Sequence, residues 1–290
     1  MIYRLDPELR AAAAALPQVY RTDVVAARKV AASRVVLGPA PEDVTVEKHV
    51  AGAVPLRVFR PNRWTGGAVV HAHGGGFILS DLDATHARDV EIARETGALV
   101  VSVGYRLAPE CPFPAPVEDV HTGLEWVHAQ AGVDPARVVL HGVSAGGALA
   151  ASVALSTTQP VRLLFLVSPV LDDRLETASS LRFTDTPVLT RRDLEICWSA
   201  YLGDVDRTPE GAAPGRSRDL ARVPPTYVSV AEFDPLRDEA IDFARSLLDA
   251  GIGVELHLFP GTFHGSLAVR GAAVSERQLS EEIAVLRSVL

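Results

Sequence analysis

The sequence predicts an α/β fold in which helices cover both faces of a mostly parallel sheet. Short, continuously apolar segments alternate with stretches of helical periodicity, and buried parallel strands read as such apolar runs. The 290 residues are enough for one large α/β unit. With 48% hydrophobic and 22% charged residues, the composition is typical of a globular protein with a substantial core.

The first forty residues are expected to be helical. Asp6-Pro7 suits a helix start, because proline is tolerated in the first turn, and residues 23–36 place alanine and valine at helical spacing. From Val44 the pattern alternates as in half-buried strands, over 44–47 and 56–59. We therefore separate an N-terminal helical segment, residues 1–43, from a main domain, residues 44–290.

A regular alternation of strand and helix begins at residue 68 and is interrupted once. Charged residues, prolines and glycines fill residues 172–222, which we interpret as an insertion with a helix over 190–201. Outside it, the apolar runs predict strands over 68–72, 98–103, 138–140, 161–167, 226–231 and 254–259. The helical patterns predict helices over 84–96, 117–130, 145–155, 237–249 and 274–289.

Charge and motif content exclude several classes of function. The net charge is −8 without a long basic run, which disfavours nucleic acid and anionic membranes as partners. Two cysteines do not make a disulfide framework, and the absence of CxxC and HExxH motifs gives no support for a metal. The apolar run at residues 11–16 is too short for a signal peptide, and no apolar stretch reaches about 18 residues. A cytoplasmic location is the default expectation.

One serine lies between glycines directly after the strand predicted over 138–140. Residues 142–146 read Gly-Val-Ser-Ala-Gly, the GxSxG pattern of a nucleophile elbow, in which a sharp strand-to-helix turn exposes a reactive serine. A Cβ at either glycine would collide with the neighbouring strand or helix. The following helix directs its N-terminus towards negative charge that develops near Ser144. We expect Ser144 to be a nucleophile.

A glycine-rich loop follows the strand predicted over 68–72. Residues 73–77 read His-Gly-Gly-Gly-Phe, and three glycines let a loop pass close to the serine and direct backbone N–H groups inward. Such donors are required where an oxyanion develops. Because ligands bind beyond the carboxyl ends of strands in α/β sheets, both motifs are expected at one site.

A serine nucleophile needs a base and an acid at the same edge of the sheet. Of the nine histidines, His264 alone follows the last strand in a loop at the correct end, after Phe259. Asp234, at the turn after the preceding strand, is the favoured acid, although an Asp-Pro pair is also a common helix cap. Glu232 and Asp238 are its rivals.

The chain resembles the bacterial hormone-sensitive-lipase-like (family IV) esterases of the α/β-hydrolase superfamily. The resemblance covers roughly residues 40–290. Its motifs occur in the family's order: HGGGF at 73–77, YRLAPE at 105–110, FPAPVED at 113–119, SAGG at 144–147, SP at 168–169, DPLRDE at 234–239 and HG at 264–265.

The resemblance implies an α/β-hydrolase fold, with the N-terminal segment and the insertion as a helical cap. It implies that Ser144, Asp234 and His264 form a catalytic triad without a cofactor. It places the oxyanion donors on the backbone N–H groups of Gly75, Gly76 and Ala145, and assigns loop support to His73 and Gly74. The expected reaction is the hydrolysis of small esters with short acyl chains.

Three departures from the family pattern accompany this expectation, one of which is that the family's Ser-Pro-Leu segment before Leu220 is not recognisable in residues 214–218. Val143 stands where the family has Asp or Thr, and Cys111 stands where histidine is common. A specialised hydrolase for a lactone, an amide or one bulky ester is an alternative, and so is a non-catalytic small-molecule receptor. The resemblance also suggests a homodimer that pairs through the edge of the last strand.

Overall fold

The central sheet has eight strands within the residues described by the computed structural model, which are 3–16, 21–33, 35, 37–38 and 42–290. Their spatial order is β1-β2-β4-β3-β5-β6-β7-β8. The pairs β1–β2 and β2–β4 are antiparallel, and the remaining neighbours are parallel. The strands are β1 Val44–Ala51, β2 Val54–Pro61, β3 Ala68–Ala72, β4 Leu99–Val103, β5 Val138–Val143, β6 Leu163–Val167, β7 Thr226–Phe233 and β8 Val254–Phe263.

Helices cover both faces of this sheet. The helices of the described residues are α1 Pro7–Ala15, α2 Val24–Ala32, α3 His86–Thr96, α4 Ala115–His128, α5 Ala145–Ser156, α6 Ala178–Arg182, α7 Arg191–Leu202, α8 Arg237–Asp249 and α9 Ala273–Val289. Successive strand residues point to opposite faces. Val69 therefore belongs to the apolar cluster that includes residues of α3 and α9, whereas Val70 belongs to the cluster that includes residues of α4, α5 and α8. This double burial explains why the central strands are apolar without alternation.

The helices outside these two layers gather over the carboxyl ends of the strands. Helices α6 and α7 belong to the insertion between β6 and β7, and α1 and α2 precede the sheet. A cavity of about 710 Å³ lies between them and is lined in part by Leu16, Gly75, Thr186 and Ile196. Within the described part of the chain, no helix is long and apolar enough to cross a membrane.

The fold predicted from the sequence is confirmed, and most boundaries agree within two residues. The helix expected over 23–36 spans Val24–Ala32, and residues 34 and 36 lie outside the described residues. Helix α6 was not predicted. The loop expected after Phe259 is wrong, because β8 continues to Phe263 after a register shift opposite β7. Pro260 is tolerated there because β8 is an edge strand.

Candidate active site

The turn between β5 and α5 places Ser144 in a strained backbone conformation. Its φ of +54° lies in a region that non-glycine residues rarely adopt, and such strain costs about 1–3 kcal/mol. A Cβ at Gly142 would lie 2.3 Å from the Gly146 carbonyl oxygen, and one at Gly146 would lie 2.0 Å from the Ala72 carbonyl oxygen. Both glycines are therefore required for the close approach of β3, β5 and α5.

Ser144, His264 and Asp234 form a continuous chain of hydrogen bonds. Because a carboxylate only accepts, His264 Nδ1–H donates to Asp234 Oδ2, at 2.7 Å. The other ring nitrogen, Nε2, then accepts the hydrogen bond from the Ser144 hydroxyl, at 3.0 Å. Asp234 is 1% exposed, Ser144 7% and His264 8%. The network is nearly dry, which strengthens its electrostatic interactions.

The acidic residues near Asp234 are engaged elsewhere. Asp234 Oδ1 accepts from the backbone N–H of Leu236 at 2.9 Å, so both carboxylate oxygens have partners. Glu232 accepts from the Gly261 N–H at 2.7 Å. Asp238 accepts from the Ser179 N–H at 2.7 Å. Of the three acids considered from the sequence, the structure brings Asp234 to His264.

The glycine loop passes directly beside the nucleophile. A Cβ at Gly74 would lie 3.3 Å from Ser144 Cβ. Gly75 and Gly76 have φ values of +123° and +64°. Among the described residues, none accepts a hydrogen bond from the backbone N–H of Gly75, Gly76 or Ala145. Three donors are thus free at the edge of the sheet where the serine lies.

His73 lies beneath this loop and is neutral. Burial lowers the pKa of its imidazole to about 4. Its Nδ1–H donates to the Gly74 carbonyl oxygen at 2.7 Å, and its ring stacks on Tyr105 at 4.2 Å. The Tyr105 hydroxyl donates to the His73 carbonyl oxygen at 2.8 Å. These contacts fix the start of the loop.

Two further contacts of the loop were not predicted from the sequence. Cys197 of α7 packs against Gly76 so closely that a Cβ there would lie 2.3 Å from its Sγ. Arg28 of α2 donates from Nε to the Ile78 carbonyl oxygen at 2.8 Å, and it pairs with Glu110 at 2.7 Å. No local pattern links residues so distant in sequence.

An ion pair lines the cavity beside Gly75. Arg21 and Asp193 form an ion pair at 2.7 Å. Asp193 also accepts a hydrogen bond from the backbone N–H of Thr190, which is the N-cap residue of α7. No group of three or more His, Cys, Asp or Glu side chains among the described residues is arranged to hold a metal ion.

The sequence matches the family model described as "alpha/beta hydrolase fold" over residues 69–268. It is 35% identical over 256 residues to esterase LipI of Mycobacterium tuberculosis, which covers 83% of this chain and 79% of that protein. It is 30% identical over 247 residues to ethyl acetate hydrolase of Pseudomonas putida, which covers 81% of this chain and 77% of that protein.

A solved structure titled bacterial heroin esterase has a TM-score of 0.95 and 42% identity to this chain, and the match covers 99% of this chain and 98% of that one. The chain belongs to the hormone-sensitive-lipase-like esterases of the α/β-hydrolase superfamily. Its class of activity is carboxylic ester hydrolysis. The resemblance drawn from the sequence motifs is confirmed.

Proposed function

We propose that the protein hydrolyses esters with short acyl chains through a serine-bound acyl intermediate. The observation that carries the proposal is the hydrogen-bond chain from Asp234 through His264 to Ser144. In this arrangement Ser144 is the nucleophile, His264 the general base, and Asp234 the residue that orients the imidazole.

In the first half of the reaction, Ser144 Oγ attacks the ester carbonyl carbon while His264 Nε2 takes the hydroxyl proton. The carbonyl oxygen becomes an oxyanion, which accepts hydrogen bonds from the N–H groups of Gly75, Gly76 and Ala145. The intermediate collapses with cleavage of the bond to the alcohol oxygen. That oxygen receives the proton from His264, and the acyl group stays on Ser144.

In the second half, water replaces the alcohol. His264 accepts a proton from water as it attacks the acyl carbon, and the same three N–H groups stabilise the second oxyanion. Collapse returns the proton to Ser144 Oγ and releases the carboxylic acid. Asp234 keeps the imidazole in the tautomer that both halves need and stabilises its protonated form.

The packing behind Gly76 supports a short acyl chain. Cys197 contacts Gly76, while Phe77 stacks on Tyr201 at 4.0 Å and meets Trp198 at 5.4 Å. This side of the loop is filled by side chains. Two relatives are named for esters of acetic acid, since heroin and ethyl acetate both carry acetyl groups.

The cavity on the Gly75 side, whose lining includes none of the three triad residues, favours a second candidate, a hydrolase for one bulky ester. Its volume of about 710 Å³ is in the range that holds a drug-sized molecule. A small acyl group and a large alcohol group would suit this asymmetry. Comparing phenyl acetate with acetates of larger polycyclic alcohols distinguishes the two candidates, because a bulky-ester hydrolase should show kcat/KM rising with alcohol size.

The experiment that tests the proposed function is hydrolysis of p-nitrophenyl esters from acetate to palmitate. We expect the rate to peak between two and six acyl carbons. Ser144→Ala and His264→Ala should lose roughly 10⁴–10⁶-fold in kcat while keeping the wild-type circular dichroism spectrum, because loss of either partner disables the pair. A folded wild type inactive on every ester, or a mutant with full activity, contradicts the proposal.

We also propose that two copies pair through β8. This strand is an edge of the sheet, and Leu256 and Leu258 are 41% and 45% exposed on it. An exposed apolar edge strand is a template for pairing. Light scattering should give twice the 30.9 kDa chain mass, and the mass of a single chain at micromolar concentration would rule this pairing out.

A further inference from the structure

Ser179 of α6 is completely buried and connects the insertion to the turn that carries Asp234. Its backbone N–H donates to Asp238 Oδ2 at 2.7 Å. Its hydroxyl donates to the Pro235 carbonyl oxygen at 2.9 Å and accepts from the Asp238 N–H at 3.0 Å. One small side chain and its amide thus make three hydrogen bonds to residues 235–238, more than fifty positions away in sequence.

These bonds replace the cap that α8 lacks. The residue at its N-cap position is Leu236, whose side chain has no oxygen to accept from the first turn. The first N–H groups of a helix have no intrahelical partner, and in most helices a Ser, Thr, Asp or Asn at the N-cap accepts from one of them. Here the Ser179 hydroxyl accepts from the Asp238 N–H. The insertion therefore completes the start of α8.

The first turn of α8 also binds the backbone at the start of the segment between β6 and α6. Glu239 Oε1 accepts from the N–H groups of Leu171 and Asp172, at 2.6 and 3.3 Å. The preceding residue, Val170, donates to the Ser144 carbonyl oxygen at 3.0 Å. The segment from Val170 to Ser179 is thus fastened to the nucleophile turn at one end and to the acid turn at the other.

We propose that Ser179 is a positioning residue for Asp234, so that the insertion sets the geometry of the acid as well as covering the site. This inference rests on the proposed function, because it assigns Asp234 to the triad. Asp234 and the Ser179 acceptor Pro235 are adjacent, and Pro235 has a fixed φ. We therefore expect loss of the two hydrogen bonds of the Ser179 hydroxyl to displace the carboxylate from His264 Nδ1, although the bond from the Ser179 backbone N–H to Asp238 remains.

Ser179→Ala tests the inference, with Ser180→Ala as the matched control. Ser180 is equally buried on the same helix, but its hydroxyl donates only to the Thr177 carbonyl oxygen within the insertion. Activity on p-nitrophenyl acetate is measured per active site titrated with a fluorophosphonate. We expect Ser179→Ala to lose about tenfold in kcat, equivalent to about 1.4 kcal/mol, with KM nearly unchanged. Ser180→Ala should keep the wild-type kcat.

The pH profile separates positioning from a merely structural role. A displaced carboxylate stabilises the protonated imidazole less, so the acid limb of kcat/KM in Ser179→Ala should move to lower pH. A lower melting temperature with wild-type kcat and pH profile would overturn the inference. If Ser179→Ala does not fold, Ser179→Cys, which keeps volume and a weak donor, should show the same changes to a smaller degree. A wild type that neither reacts with the fluorophosphonate nor turns over would instead refute the proposed function.

Discussion

Replacing Gly76 with alanine should remove most of the activity, and truncating one side chain of α7 should restore it. The added Cβ would lie 2.3 Å from Cys197 Sγ, whereas non-bonded carbon atoms approach to about 3.5–4.0 Å. The loop or α7 has to move by more than about 1 Å. Such a movement withdraws an oxyanion donor, and loss of one donor costs about 2.7–4 kcal/mol, or 10²–10³ in kcat.

Cys197→Ala removes the atom that causes the collision. The next nearest atom to the added methyl group is Cys197 Cβ at 3.4 Å, an ordinary contact. In the double variant the steric cost should disappear, while alanine at φ +64° retains about 1–2 kcal/mol of backbone strain. We therefore expect kcat to recover about 100-fold, or about 2.7 kcal/mol, with the melting temperature still reduced.

The assay is a double-mutant cycle in kcat on p-nitrophenyl acetate, with Gly75→Ala as the control. A Cβ at Gly75 would lie 2.3 Å from the Leu79 carbonyl oxygen, which belongs to the backbone. Cys197→Ala should therefore not rescue Gly75→Ala. Wild-type kcat in Gly76→Ala, or a double variant as slow as the single one, would refute the steric reasoning.

Three further outcomes are expected. Burial raises the pKa of the Glu239 carboxyl well above its usual range, so its contribution to stability is present below about pH 4 and is lost as pH rises through the folded-state value. Glu239→Gln keeps an acceptor oxygen without ionising, so its melting temperature relative to that of the wild type should rise as the pH is raised above about 4, and a difference that stays constant as the pH is raised would contradict this. Burial also raises the pKa of the Cys197 thiol to about 12, so iodoacetamide at pH 8 should label the partly exposed Cys111 and leave Cys197 and esterase activity intact, as mass spectrometry would report. Finally, Arg28→Met removes the hydrogen bond to the Ile78 carbonyl oxygen and should lower kcat by roughly three- to tenfold, as expected for the loss of one hydrogen bond. The measurement is kcat at saturating substrate, and an unchanged value would contradict the prediction.

The sequence predicted that the residues of the candidate site would meet at one edge of the sheet, because of how parallel strands are arranged. The segments that hold Gly75, Ser144, Asp234 and His264 each follow a strand, and the carboxyl ends of those strands meet at one edge. Glycine spacing then identified the serine, since only close backbone approach requires glycines at both Gly142 and Gly146. Both signals are local in the sequence, so they can be recognised without knowledge of the tertiary packing.

Contacts that depend on the path of the insertion could not be predicted. Ser179 lies on a helix of five residues, too short for a periodic pattern, and its partner Asp238 is 59 positions away. Cys197 on α7 has no local feature that identifies Gly76 as its neighbour. The extension of β8 through Pro260 and Gly261 was missed because the pair normally ends a strand, and only an edge position accommodates it.

The 120 positions that separate Ser144 from His264 have a consequence for how the chain acquires activity. The histidine follows β8, which pairs with β7 alone and forms the outer boundary of the sheet. In the proposed mechanism, a partly folded chain that has assembled β3 to β6 contains the serine turn and the glycine loop but lacks the proton acceptor His264. Recovery of ester hydrolysis after dilution from denaturant is therefore expected to require the docking of the outermost strand.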